Sequence, residues 1–177
     1  MAKPLDSLIL TTNNLILRPP VLDDFAALSR IWSDPIFCRK GQFPIMGAEL
    51  VWMRLLRDIG HWHGLGFGSF MICDKRDQAL IGQAGLFDYR RDMNPGLLWP
   101  EVGWALDPDF HGRGFGFEAM QTVLDLSDKV LRFDATQAII RPDNHASLKL
   151  AARLGYDQRS EASFMGSRAL VLTRNRP

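Results

Sequence analysis

The stretch that most constrains this chain runs Glu101-Val102-Gly103-Trp104-Ala105-Leu106-Asp107-Pro108-Asp109-Phe110-His111-Gly112-Arg113-Gly114-Phe115-Gly116-Phe117-Glu118-Ala119. An apolar strand stops at Asp107-Pro108, glycines alternate at 112, 114 and 116, and an amphipathic helix begins. A strand feeding a helix through such a loop leaves backbone N–H groups pointing out of the helix start, where the helix dipole also favours an anion. Glycine lets that backbone approach a ligand with no side chain in the way. Arg113 adds a full positive charge, so the ligand suggested is a phosphate or pyrophosphate. Two common phosphate loops fail on spacing. A P-loop needs Lys and then Ser or Thr after its last glycine, and Phe117-Glu118 stands there. A dinucleotide fingerprint needs G-x-G-x-x-G in the first βαβ unit, whereas this loop is G-x-G-x-G and lies two-thirds of the way along.

The rest of the chain supplies layers around that loop. A strand over residues 14 to 18 is stopped by Pro19-Pro20. A helix over residues 21 to 32 carries Asp23 and Asp24 in its first turn and one apolar face of Phe25, Leu28, Ile31 and Trp32, ending at Asp34-Pro35. A second helix, residues 48 to 59, is expected to finish at a Gly60 cap, and Gly60-His61-Trp62-His63-Gly64-Leu65-Gly66 reads as a loop. Strands at 68 to 73 and 79 to 87 should form an antiparallel hairpin, and Asn94-Pro95-Gly96 marks a turn in the polar stretch that follows. After the strand at 101 to 106 and a helix from about 114 to 130 come a strand at 136 to 140 and a helix at 145 to 154. A last strand pair covers 156 to 160 and 169 to 173. The order is mixed α/β, with an antiparallel start and one strand–helix–strand crossover.

At 177 residues, with no repeat or low-complexity linker, the chain reads as one domain spanning 1–177. A net charge of +1 with scattered Lys and Arg leaves no electrostatic footprint for nucleic acid. No apolar run approaches the roughly 18 residues that cross a bilayer, and the first residues do not read as a secretory signal. Two cysteines, Cys38 and Cys73, cannot form a disulfide framework, which points to a reducing cytoplasm.

Four ordered motifs together resemble the GNAT superfamily of N-acetyltransferases, in its RimJ/RimL branch. They are Thr12-Asn13-Asn14-Leu15-Ile16-Leu17-Arg18-Pro19; Glu101-Val102-Gly103-Trp104; His111-Gly112-Arg113-Gly114-Phe115-Gly116; and Asn144-His145-Ala146-Ser147 with Arg153-Leu154-Gly155-Tyr156. The loop departs from the family's Gln/Arg-x-x-Gly-x-Gly/Ala at its first position, where His111 stands. The resemblance implies a GNAT-like fold: a twisted, mostly antiparallel sheet of about six to seven strands flanked by about four helices. It implies acetyl-coenzyme A as co-substrate, no metal, and a primary amine as acceptor, either a protein N-terminus or a small molecule. A homodimer is compatible with it. The pyrophosphate would lie on the amides of His111, Gly112, Arg113, Gly114, Phe115 and Gly116. The pantetheine would add like a strand beside Trp104, Ala105 and Leu106, in a splay between parallel strands.

Direct acetyl transfer in a ternary complex needs a base for the amine's proton and a donor for the departing thiolate. Glu101 is the candidate base, or else a strand-end glutamate in a salt bridge. Asn144 is an N-cap by residue type, and the resemblance adds contact with the cofactor. Ser147 is the candidate donor and cofactor contact, or a first-turn serine bonding to local backbone. The family's tyrosine position falls on Ala151, and Tyr156 reads as core. Lys149 and Arg153 could meet a 3′-phosphate or form a solvated face. His61-Trp62-His63 lacks the companion ligands of a zinc site and reads as a lining of the acceptor entrance, with residues 39 to 43 opposite. The alternative to an enzyme is a catalytically silent acyl-coenzyme A-binding or regulatory module.

Overall fold

The computed structural model describes residues 8–177; the amino-terminal segment read above for a signal lies outside them. The strands are β1 (Leu10–Thr11), β2 (Leu15–Arg18), β3 (Ser69–Asp74), β4 (Leu80–Phe87), β5 (Met93–Asn94), β6 (Glu101–Leu106), β7 (Ala135–Ile140), β8 (Gln158–Phe164) and β9 (Ser167–Asn175). The helices are α1 (Phe25–Ser33), α2 (Pro35–Gly41), α3 (Ala48–Leu65), α4 (Phe115–Leu126) and α5 (His145–Arg153). All nine strands join one sheet in the order β1-β2-β3-β4-β6-β7-β9-β8-β5. Every neighbouring pair is antiparallel except β6 and β7. The fold expected from sequence is therefore present. The strands beyond seven are β1 and β5, each two residues long and too short for an alternating pattern to show.

Each sheet face has its own core. On one side Leu15, Leu17, Ile72, Ile81, Val102 and Ala138 meet α4 and α5 through Ala119, Met120, Val123 and Ala151. On the other, Met71 and Leu80 meet α1, α2 and α3 through Leu28, Ile31, Trp32, Phe37, Val51 and Leu55. The turn from β2 into α1 is held by Asp24, which accepts from Val21 N–H at 2.8 Å and from both ends of the Arg18 guanidinium.

Two expectations are corrected. Asp34-Pro35 ends α1 and also starts α2. Asp34 Oδ1 accepts Ile36 N–H at 2.7 Å, and Pro35 occupies a first-turn position where its missing N–H costs nothing. Residues 39 to 43 therefore close a helix, and Gln42 lies against Asp143. The helix α3 does not stop at Gly60: it continues through His61-Trp62-His63 to Leu65, and Gly66, at φ +74°, is its cap. Two interior glycines weaken it by roughly 1 kcal/mol each. Burial of His61 and Trp62 opposes that loss, with Trp62 Nε1 donating to Ser69 O at 2.9 Å and its ring edge-on to Phe70.

Candidate active site

The loop between β6 and α4 has the conformation that its glycines permit. Asp107 caps a short 3-10 turn over Pro108–Phe110 by accepting Asp109 N–H at 3.1 Å. Gly112 and Gly114 then take φ +74° and +83°, with nothing within 4 Å of where a Cβ would stand. The first helical bond of α4 runs from Glu118 N–H to Gly114 O, so the amides at 115 to 117 precede any intrahelical partner. Phe115 contributes only backbone, because its ring is buried in the core beneath the loop. Arg113 lies over the Phe110 and Phe115 rings at 5.2 and 4.5 Å and pairs with no carboxylate among the described residues. It lines a shallow cavity of about 270 Å³ with Asn14, Lys75, Arg76 and Asp74, a carboxylate that its charge helps to stabilise.

His111 does not present a free amide. Its N–H donates to Pro108 O at 3.2 Å, and its Nε2 donates to Leu106 O at 2.8 Å. The side chain thus ties the loop back to the end of β6, and the open cradle begins at Gly112. Glu118 anchors the far side, accepting from Thr12 Oγ1, Asn14 N and Asn14 Nδ2 at 2.5, 2.8 and 2.9 Å. Burial pushes its carboxyl up, but these bonds outweigh burial and hold it below the usual glutamate value.

Beside the loop the sheet opens. The strands β6 and β7 pair only at Glu101↔Gln137 and Val102↔Ala138, although β6 continues to Leu106 and β7 to Ile140. The edge of β6 carrying Trp104, Ala105 and Leu106 therefore has no β7 partner, and these three residues are half-buried. On the β7 side of the gap stands the start of α5, where Asn144 Oδ1 accepts Ser147 N–H at 3.1 Å. The Asn144 carbonyl accepts Leu148 N–H, and the Ser147 hydroxyl has no hydrogen-bond partner among the described residues. Lys149 is exposed, Arg153 lies 4.5 Å over the Phe117 ring, and Tyr156 is core, its hydroxyl 2.7 Å from Thr136 Oγ1.

Glu101 is buried on the α1–α3 side of the sheet and gripped by Arg91, whose Nε and Nη2 reach its two oxygens at 2.7 and 2.9 Å. The salt bridge weighed from sequence is thus present, with its partner in the β4–β6 connection. Around it is a network that sequence reading missed. Asp58, fully buried on α3, accepts from Tyr89 Oη at 2.7 Å, from Arg57 Nη2 at 3.0 Å and from Gln83 Nε2 at 3.3 Å. Gln83 Oε1 in turn accepts from Trp32 Nε1 at 3.1 Å. Burial first, and the Asp58 carboxylate second, push the Tyr89 phenol above its ordinary value. The one signal in the sequence was Arg54 and Asp58 standing on the stripe that Val51 and Leu55 mark as inward.

Metal chemistry finds no support at His61. Its Nε2 accepts Asp88 N–H at 2.9 Å, which makes Nδ1 the protonated nitrogen donating to Phe67 O at 2.6 Å. Among the described residues no group of His, Cys, Asp and Glu could hold a metal ion. None of their helices is long and apolar enough to cross a membrane.

Comparison with known proteins gives the family and the fold. Residues 14–157 match the acetyltransferase (GNAT) domain family. An uncharacterized N-acetyltransferase of Bacillus licheniformis is 27% identical over 152 residues, covering 84% of this chain and 82% of its own. The structure of a Bordetella pertussis protein assigned to the GNAT family superposes with a TM-score of 0.82 at 29% identity, over 94% of this chain and 99% of that one. The fold is shared at 16% identity and TM-score 0.72 with RimL, a ribosomal L7/L12 alpha-N-protein acetyltransferase solved with coenzyme A, over 95% of this chain and 98% of that one.

Proposed function

This chain belongs to the GNAT acetyltransferase family, and from that premise we propose that it moves the acetyl group of acetyl-coenzyme A directly to a primary amine. The observation that carries the reading is the pairing of an open amide cradle at residues 112 to 117 with a parallel strand pair that parts after Val102. One accommodates a pyrophosphate and the other an amide-bearing arm, so the residues present fit the cofactor.

When bound, acetyl-coenzyme A supplies the acetyl group as a thioester. The amides of Gly112, Arg113, Gly114, Phe115 and Gly116 and the Arg113 charge would hold its pyrophosphate. His111 would act indirectly, by fixing the loop to Leu106. The edge at Trp104, Ala105 and Leu106, where the Leu106 carbonyl already accepts one bond from His111, would take the arm's amides as a neighbouring strand would. Asn144 fixes the start of α5 and with it Ser147, whose unpartnered hydroxyl is free to hydrogen-bond the departing sulfur.

Glu101 is the group we assign to the acceptor's proton. Arg91 takes one lone pair on each oxygen; a second lone pair on each remains to accept from a water or an amine. The same ion pair is what a silent binding module would also have, so turnover decides between the two. Incubation of the protein with acetyl-coenzyme A and an amine panel should release free thiol in proportion to acetylated amine. Saturable cofactor binding without thiol release from any amine would establish the silent module in its place.

A further inference from the structure

The polar network beside Glu101 is not electrically balanced. It holds Arg54, Arg57 and Arg91 against Asp58 and Glu101, three cations against two carboxylates. Asp58 is committed to Arg57, Tyr89 and Gln83, and both oxygens of Glu101 are committed to Arg91. Arg54 is left over. It stands on the inward stripe of α3 with Val51, Leu55 and Asp58, and its guanidinium lies 4.2 Å over the Trp32 ring. Its Nε is buried and has no hydrogen-bond partner, and the one carboxylate attracting it is Asp58, which already pairs with Arg57. A guanidinium so placed is unusual, because buried donors are almost always satisfied.

The location gives the surplus a purpose. Along β6, Glu101 and Ala105 face the α1–α3 side, and between them Gly103 leaves room that the Phe87 ring partly fills. The acyl arm's side of the sheet opening and the Arg54 cluster's side meet at this strand. Arg54 lies near enough to Arg91, the residue that holds Glu101, for the two charges to repel each other. A planar fork with one face already stacked on Trp32 and its nitrogens unpaired suits a carboxylate, taken through two parallel N–H···O bonds. A net positive cluster also opposes protonation of a nearby amine, and so favours its neutral, nucleophilic form. A polyamine would meet the same charge as repulsion.

Resting on the acetyl-transfer reading above, we infer that the acceptor is an amine that also carries a carboxylate, and that Arg54 receives that carboxylate. Free amino acids and peptides with an acidic first residue share this chemistry. Matched pairs test it on the unmodified protein: ornithine against putrescine, and phenylalanine against phenethylamine. A peptide beginning with Glu against the same peptide beginning with Gln distinguishes the peptide source from the free one. The carboxylated partner should have the higher kcat/KM by about tenfold to a hundredfold, the range of a charged hydrogen bond. Arg54→Gln should collapse that preference through KM, and Arg54→Lys should keep part of it, since charge survives without the fork. Should Arg54→Gln fail to fold by circular dichroism, the wild-type pairs and Arg54→Lys still decide. Equal or better turnover of the decarboxylated amines overturns the inference while leaving acetyl transfer intact, as does cofactor binding with no amine accepted. Failure to bind acetyl-coenzyme A strikes the underlying reading instead.

Discussion

Replacing Gly114 with Asp and with Asn separates charge from backbone at the proposed phosphate cradle. Gly114 sits at φ +83° as the residue before α4, and an added Cβ would meet nothing within 4 Å. Neither substitution creates a clash, so each costs only the left-handed conformation, about 1 kcal/mol and less for Asn, which tolerates that region. For a chain of this length that is a fall in Tm of roughly 2–4 °C. The Asp variant differs from Asn by one negative charge beside the cradle. At about 5 Å from a phosphate charge, an effective dielectric between surface and water values gives repulsion of roughly 1–3 kcal/mol. Affinity for acetyl-coenzyme A should therefore drop about tenfold to a hundredfold from Asn to Asp, and only a few-fold from Gly to Asn. Isothermal titration of the three proteins in low salt measures both steps. Equal affinities for Asp and Asn, with both proteins folded, would refute the cradle.

Glu101→Gln should lower kcat far more than it weakens cofactor binding; equal kcat for parent and variant would remove Glu101 from the proton's path. Tyr156→Phe leaves the buried Thr136 hydroxyl without its 2.7 Å partner, so stability should fall by about 1–2 kcal/mol, roughly 3–6 °C in Tm, with acetyl transfer unchanged. Because the Glu118 carboxyl is held below its ordinary value of 4.5 in the folded chain, it stabilises the fold fully above that pH. That contribution is lost as the pH falls through the depressed value. Urea midpoints measured from pH 7 to pH 3 should accordingly decline less steeply in Glu118→Gln than in the parent, and parallel curves would contradict the assignment.

Much of this architecture was legible in the residues because its signals are local. Alternating apolar residues gave seven strands, and the glycines at 112 and 114 gave a loop whose two left-handed positions the structure contains. The misreadings have equally physical origins. Asp-Pro stops one helix and starts another with the same two residues, since an Asp cap and a first-turn proline suit a helix beginning. Gly60 and Gly64 look like breakers until the burial of Trp62 against Ser69 and Phe70 is known. The network at Glu101 left only the inward placement of Arg54 and Asp58 as a signal, because those two come from α3, Gln83 from β4, and Tyr89 and Arg91 from a connection that sequence marks only as polar. Only the fold brings them together. His111 shows the converse: the residue that departs from the family pattern uses its side chain to hold the loop to Leu106.

Titration of the purified protein with acetyl-coenzyme A, with ATP and NAD as controls, tests the central claim most directly. The account requires saturable one-site binding of acetyl-coenzyme A alone, because the cradle at residues 112 to 117 and the gap beside Trp104 fit a pyrophosphate joined to an amide-bearing arm. Absence of that binding, or equal binding of the nucleotides, would contradict it.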